Sequence, residues 1–233
     1  MKRVFVLVIS LFLLVNGSVM AHGVNTVAVK HSELTVLVNG VKVVSSANHL
    51  NGSKTYVSVK AFAELFNLSF TKDTKSNAIV FNEKTISDLR VKNGETTAWI
   101  RDLANAVNAQ QVSWSKENQE VYVLVLPAGT IQISESVPAM GEHWSNPQAG
   151  DLPLGPIYGV HEGRLVFLEY MVAQDDFEKG INHVNIAGMK GVPSPPVVQM
   201  DIEFQSQGHE GFEVPHYDIH AYFISEDEQQ NIK

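Results

Sequence analysis

The chain has 233 residues, 44% of them hydrophobic, with a formal net charge of −8 and no cysteine. Without cysteine there are no disulfides, thiolate zinc sites or cysteine nucleophiles, so stability must come from hydrophobic burial. Charge divides the chain: residues 24–126 carry eleven basic against nine acidic side chains, residues 127–233 four against sixteen. The acidic second half lacks the Lys/Arg clusters that phosphate backbones need, which argues against nucleic acid and for cationic partners.

The first residues read as an export signal. Lys2 and Arg3 precede an apolar run from Val4 to Val15, and Val19-Met20-Ala21 offers small residues for cleavage. That run is shorter than the roughly 20 residues a membrane-spanning helix requires. Residues 1–21 are therefore expected to be a signal peptide, the remainder to be secreted or envelope-associated, and no transmembrane segment is expected after its removal.

Next comes a tandem pattern over 34–126. Leu34 to Val44 alternates around Asn39-Gly40, a strong hairpin signal. Asn51-Gly52 follows, then Val59, Phe62, Ala63 and Phe66 at the spacing of one helical face. About 41 residues later Asn93-Gly94 and the face Ile100, Leu103, Ala104, Val107 repeat that order. Each unit of about 40 residues would bury too little alone, so two are expected to pack together. Trp99 and Trp114 are read as core aromatics.

The residues Tyr56-Val57-Ser58-Val59-Lys60 and Asp73-Thr74-Lys75-Ser76-Asn77, with the hairpin before them, resemble the copper amine oxidase N-terminal domain-like (stalk) family. This resemblance implies an α+β accessory module of exported bacterial proteins. It implies neither copper ligands nor amine oxidation.

Pro127 and Gly129 break regularity, and 127–136 is read as a linker. The part 137–225 reads as strands and loops: a hairpin through Gly155 to Val172, a short helical turn at Asp175-Asp176, and alternating strands over 197–204 and 217–224. A mainly antiparallel sandwich or barrel is expected there, with 226–233 as a polar tail, which makes the whole chain α+β. Its boxes Glu142-His143-Trp144 and Pro215-His216-Tyr217-Asp218-Ile219-His220 resemble an uncharacterised family of bacterial secreted domains. The resemblance groups the domain and supplies no activity.

Six of the nine histidines follow residue 140, three of them between 209 and 220. In a strand His216, Asp218 and His220 share one face, opposite Tyr217, Ile219 and Ala221. The apolar set is expected to be the core face. Imidazole and carboxylate are ligands for Zn²⁺ and related ions. His216 and His220 lie on the order of 13 Å apart in a regular strand, at or beyond the reach of one ion, so Asp218 pairs better with either. The expected set is His143, His216, Asp218 and His220, with Glu142, Glu169, His209 and Glu213 as second-choice ligands or supports, and zinc as the first choice of ion. A histidine in a strand is also commonly a hydrogen-bonded structural residue.

No nucleophile elbow, phosphate-cradling loop or dinucleotide fingerprint is present. Three readings remain open. The first is an exported accessory protein that binds a metal, a small ligand or an envelope component. The second is a metal-dependent enzyme, and the third a self-assembling homo-oligomer of the cell envelope.

Overall fold

Asparagine-glycine pairs set the first turns. Asn39 and Gly40 have φ of 50° and 86°, and Asn93 and Gly94 of 51° and 79°. These left-handed conformations match the twist of the strands they join, and Asn and Gly adopt them most readily. The computed structural model describes residues 34–73, 75–148 and 154–233. The expected signal peptide lies outside them.

In chain order the front part contains β1 (Thr35–Val38), β2 (Val41–Lys42), β3 (His49–Asn51), β4 (Lys54–Ser58), α1 (Val59–Leu65), β5 (Phe70–Asp73), β6 (Ala78–Phe81), β7 (Lys84–Ile86), β8 (Leu89–Lys92), β9 (Glu95–Trp99), α2 (Ile100–Ala106), β10 (Gln111–Ser115) and β11 (Glu120–Leu124). Hairpin, helix and hairpin thus occur twice in succession. The two leading hairpins join side by side in a sheet of order β3-β4-β9-β8, and each is followed by a helix. Ser58 caps α1, its side chain accepting from the Ala61 amide, which satisfies one of the free N–H groups of the first turn. Val59, Phe62 and Ala63 of α1 and Ile100, Leu103 and Ala104 of α2 are buried, as 3.6-residue spacing requires. They share one apolar core with Val36, Val38, Val57, Ile79, Phe81, Val121 and Val123. β1 runs parallel to β11 and so closes the front part end to end. Trp114 departs from the expected core position: it is 43% exposed, because β10 is the edge strand of its sheet.

The back part contains β12 (Ile131–Gln132), β13 (Glu142–Ser145), β14 (Ile157–His161), β15 (Arg164–Ala173), α3 (Gln174–Lys179), β16 (Gln199–Gln205), β17 (His216–Tyr222) and α4 (Glu226–Gln230). Its strands form one antiparallel sheet of order β12-β13-β14-β15-β17-β16. Neither a second facing sheet nor closure into a barrel occurs among the described residues of 137–225, so the expected sandwich or barrel is replaced by an open sheet. Two boundaries also shift. Ile131–Gln132 within the expected linker pairs with β13. The expected polar tail begins with α4, which carries a full capping box between Ser225 and Glu228, and Ile232 beyond it is buried.

The front and back parts meet within one compact unit, Ser32–Lys233. Leu124 and Leu126, at the end of β11, pack with Tyr158, Val160 and Leu165 of the β14–β15 hairpin. Asn39, 2% exposed, donates to the carbonyls of Val125 and Pro193 and accepts from the Val125 amide. A buried amide satisfied this fully holds a fixed position.

Candidate metal site

β17 is the strand on which the chemistry stands. His216, Asp218, His220 and Tyr222 are all buried, at 0, 3, 1 and 1% exposure, while Tyr217, Ile219 and Ala221 are only half-buried. The expectation that the apolar set faces the core is thus reversed. The reason lies in the layers outside the strand. On the apolar face the short helix α3 covers one end, through Phe177 against Tyr217 at 5.3 Å, while neighbouring β16 leaves Met200, Ile202 and Phe204 exposed. The polar face turns inward, onto the Phe167, Ile224 and Ile232 cluster and the 206–215 turn.

Strand register fixes what stands beside each polar residue. On β15, Glu169 lies opposite His220 and Met171 opposite Asp218. On β16, Asp201 lies opposite His220 and Glu203 opposite Asp218. On the outer strands His143 is paired with Gly159, and Gly159 with Phe167. A Cβ on Gly159 would sit 2.1 Å from the Phe167 ring, so the missing side chain makes room for that ring to lie across the sheet. Phe167 then stands between His143 (5.5 Å) and His220 (5.0 Å, perpendicular).

Three ligand atoms converge at one end of the strand. His216 Nε2 is 3.2 Å from His209 Nε2 and 3.0 Å from Asp218 Oδ1. His209 Nε2 is 3.8 Å from the same oxygen. A tight turn brings His209 here: Gly208 adopts φ +66°, where a Cβ would lie 2.4 Å from the Phe212 carbonyl oxygen, and His209 and Phe212 close a bridge. Phe212 stacks on His216 at 4.4 Å.

The other ring nitrogens settle the tautomers. His216 Nδ1 lies 2.7 Å from the Val214 carbonyl oxygen, and His209 Nδ1 lies 3.1 Å from that of Glu210. A carbonyl only accepts, so each Nδ1 carries the hydrogen, and either ring in its neutral form presents a lone pair at Nε2. Asp218 Oδ1 is buried with no hydrogen-bond donor. With both rings neutral, three lone-pair atoms face one another, an arrangement that a proton or a cation between them relieves. Bonds of about 2.0–2.1 Å to one tetrahedral ion put neighbouring ligand atoms about 3.3 Å apart, and the three separations bracket that value. Backbone carbonyls holding Nδ1 are also the usual support for metal-ligating histidines. His209, His216 and Asp218 could thus hold a metal ion.

The remaining expected residues are distributed around this group. His220 pairs instead with Glu169, its Nε2 3.2 Å from Oε1, while Nδ1 is 3.9 Å from Glu203 Oε2. Burial works against a charge on His220, yet Glu169, aided by Asp218 and Glu203, outweighs it and raises its pKa. His143 lies beyond Phe167, its Nδ1 3.0 Å from Ser134 Oγ. Burial lowers its pKa, with Glu169 opposing and the neighbouring histidines reinforcing the shift. Glu142 accepts from the Trp144 indole at 3.2 Å, and Glu213 from the Gly211 amide at 3.2 Å; neither joins the cluster. Among the described residues Glu169, Glu203 and Asp218 have only histidines as ion-pair partners. The sequence reading placed His209 second; the Gly208 turn beside it is the signal that would have promoted it.

No family model matches the sequence, and no curated protein is similar to it. Among solved structures, a hypothetical protein of Thermus thermophilus, TTHB210, is similar at 22% identity and a TM-score of 0.37 over 41% of this chain and 88% of its own length.

Proposed function

We propose that this chain is an exported accessory protein that binds a divalent metal ion, zinc first, between His209, His216 and Asp218. The observation that carries the reading is the convergence of two imidazole Nε2 atoms and a buried carboxylate oxygen without a hydrogen-bond partner, all within 4.8 Å of one another. Neutral imidazoles with one carboxylate suit Zn²⁺ and its first-row neighbours better than Ca²⁺ or Mg²⁺, which prefer oxygen alone. Export is supported by the Lys2-Arg3 start and the apolar run from Val4 to Val15. The twofold hairpin–helix order of 34–126 supports a duplicated, stalk-like spacer that presents the metal-binding sheet.

A second reading, metal-dependent hydrolysis or a related reaction, draws on the same geometry. Three protein ligands leave a fourth position open, and the His209 side chain is 43% exposed, so solvent reaches the ion's outer side. Isothermal titration of Zn²⁺ into the purified chain and into a His216→Gln variant tests the binding claim. Saturable binding in the first and none at this site in the second is expected. Indistinguishable isotherms would remove both readings.

A further inference from the structure

The metal assignment leaves one buried group unused, the pair Glu169 and His220. His220 is 1% exposed, and neither of its ring nitrogens has a hydrogen-bond partner. Its neighbours clamp it: Phe167 stands edge-on at 5.0 Å and Tyr222 stacks at 5.4 Å with an interplanar angle of 26°. Glu169 is 2% exposed on the adjoining strand, directly opposite. Its Oε1 comes within 3.2 Å of His220 Nε2, an ion-pair distance, yet the two lack the geometry of a full hydrogen bond, in which the acceptor lies along the axis of the ring N–H. Donor and acceptor align along that axis. Two ligands of one ion do not: each points at the ion, and their mutual line runs to one side of both.

We propose that Glu169 and His220 hold a second divalent cation, beside the one assigned to His209, His216 and Asp218, so that the buried face of β17 carries two ions. The 3.2 Å separation falls in the same range as the ligand spacings of the first position and near the edge of a tetrahedral site. Residues 218 and 220 are neighbours on one strand face, roughly 6.6 Å apart along it, which places the two positions side by side. Charge supports the pairing. Glu169 and Asp218 are both buried, Asp201 and Glu203 stand opposite His220 and Asp218, and no Lys or Arg pairs with Glu169, Asp218 or Glu203 among the described residues. Buried carboxylates without a cationic partner are costly, and an ion at His209, His216 and Asp218 leaves Glu169 to be offset by a second. Glu203, its Oε2 3.9 Å from His220 on the exposed side, stands where solvent or a bound anion would approach.

The proposal goes beyond the single-ion reading, and metal stoichiometry separates the two. The purified chain is dialysed against Zn²⁺ and its metal counted by mass spectrometry, with a Glu169→Gln, His216→Gln double variant as the baseline for zinc held elsewhere. Two zinc ions per chain above that baseline are expected, one lost in Glu169→Gln and in His220→Gln, the other in His216→Gln. One zinc that His216→Gln removes and Glu169→Gln retains overturns the second position and leaves the first standing. One zinc lost in Glu169→Gln alone keeps the second position and overturns the first. One zinc lost in every variant means a single shared ion, which overturns the pair, and none at all overturns both. Should Glu169→Gln misfold, Co²⁺ titration of the unaltered chain decides by its visible absorption: a break at two equivalents supports the pair, and a break at one overturns it.

Discussion

The front and back of this molecule bury different chemistry under the same kind of strand. In the front part the inward positions of β1, β6 and β11 are Val36, Val38, Ile79, Phe81, Val121 and Val123. In the back part the inward positions of β17 are His216, Asp218 and His220. Apolar burial stabilises by roughly 25 cal/mol per Å² whatever the partner, whereas a buried carboxylate or imidazole stabilises nothing until a matching group satisfies it. The apolar positions therefore stabilise the fold by themselves, and the polar positions of β17 call for a partner.

That contrast can be broken most strongly in the front. Phe62 is fully buried between Phe66 at 5.3 Å and Phe81 at 6.1 Å. Phe62→Ala is expected to cost about 3–5 kcal/mol in urea unfolding, with or without zinc. The back core should respond to zinc instead. At a free concentration one hundred times the dissociation constant, an ion bound only by the folded state adds about 2.7 kcal/mol. The urea midpoint should rise accordingly, and His216→Gln should abolish the rise at this site.

Asp218→Asn sharpens the comparison, because its expected effect changes sign with the metal. Without metal, the new amide can donate where Asp218 Oδ1, 3.0 Å from His216 Nε2, can only accept. That change relieves the clash of lone pairs, and a gain of about 1 kcal/mol is expected in chelator. With zinc, the variant should lack the metal-induced stabilisation and be the less stable of the two. A loss of stability in chelator would show that the carboxylate is already satisfied by a proton.

The smallest expected effect is the pH dependence that His143 contributes. Burial holds its folded pKa below the ordinary value of 6.5, so the unfolded chain takes up the proton first as pH falls. The stability this histidine contributes is complete above that value and is lost as pH drops through the folded pKa. Replacing it by Phe should flatten the acid limb of the urea midpoint below pH 6.5. An unchanged limb would place the acid sensitivity elsewhere.

Local rules made much of the front part legible. Asn39-Gly40 and Asn93-Gly94 turn the chain where their dipeptides say they should, and the faces of α1 and α2 follow from i, i+3, i+4 spacing. The α4 cap is equally readable in Ser225 and Glu228, three residues apart, although 226–233 reads as a polar tail by composition. The site was half legible. Strand parity grouped His216, Asp218 and His220 correctly on one face. Which face points inward is set by what packs above and below, and no period in the sequence carries that. The splitting of the set into His209–His216–Asp218 and Glu169–His220 depends on a turn at Gly208 and on cross-strand register. Both are long-range facts.

The most direct test of the central claim is anomalous diffraction at the zinc edge from crystals grown with Zn²⁺. The account predicts a peak bonded to His209 Nε2, His216 Nε2 and Asp218 Oδ1. The absence of a peak there, with the two imidazoles joined by a proton or a water molecule instead, would contradict it.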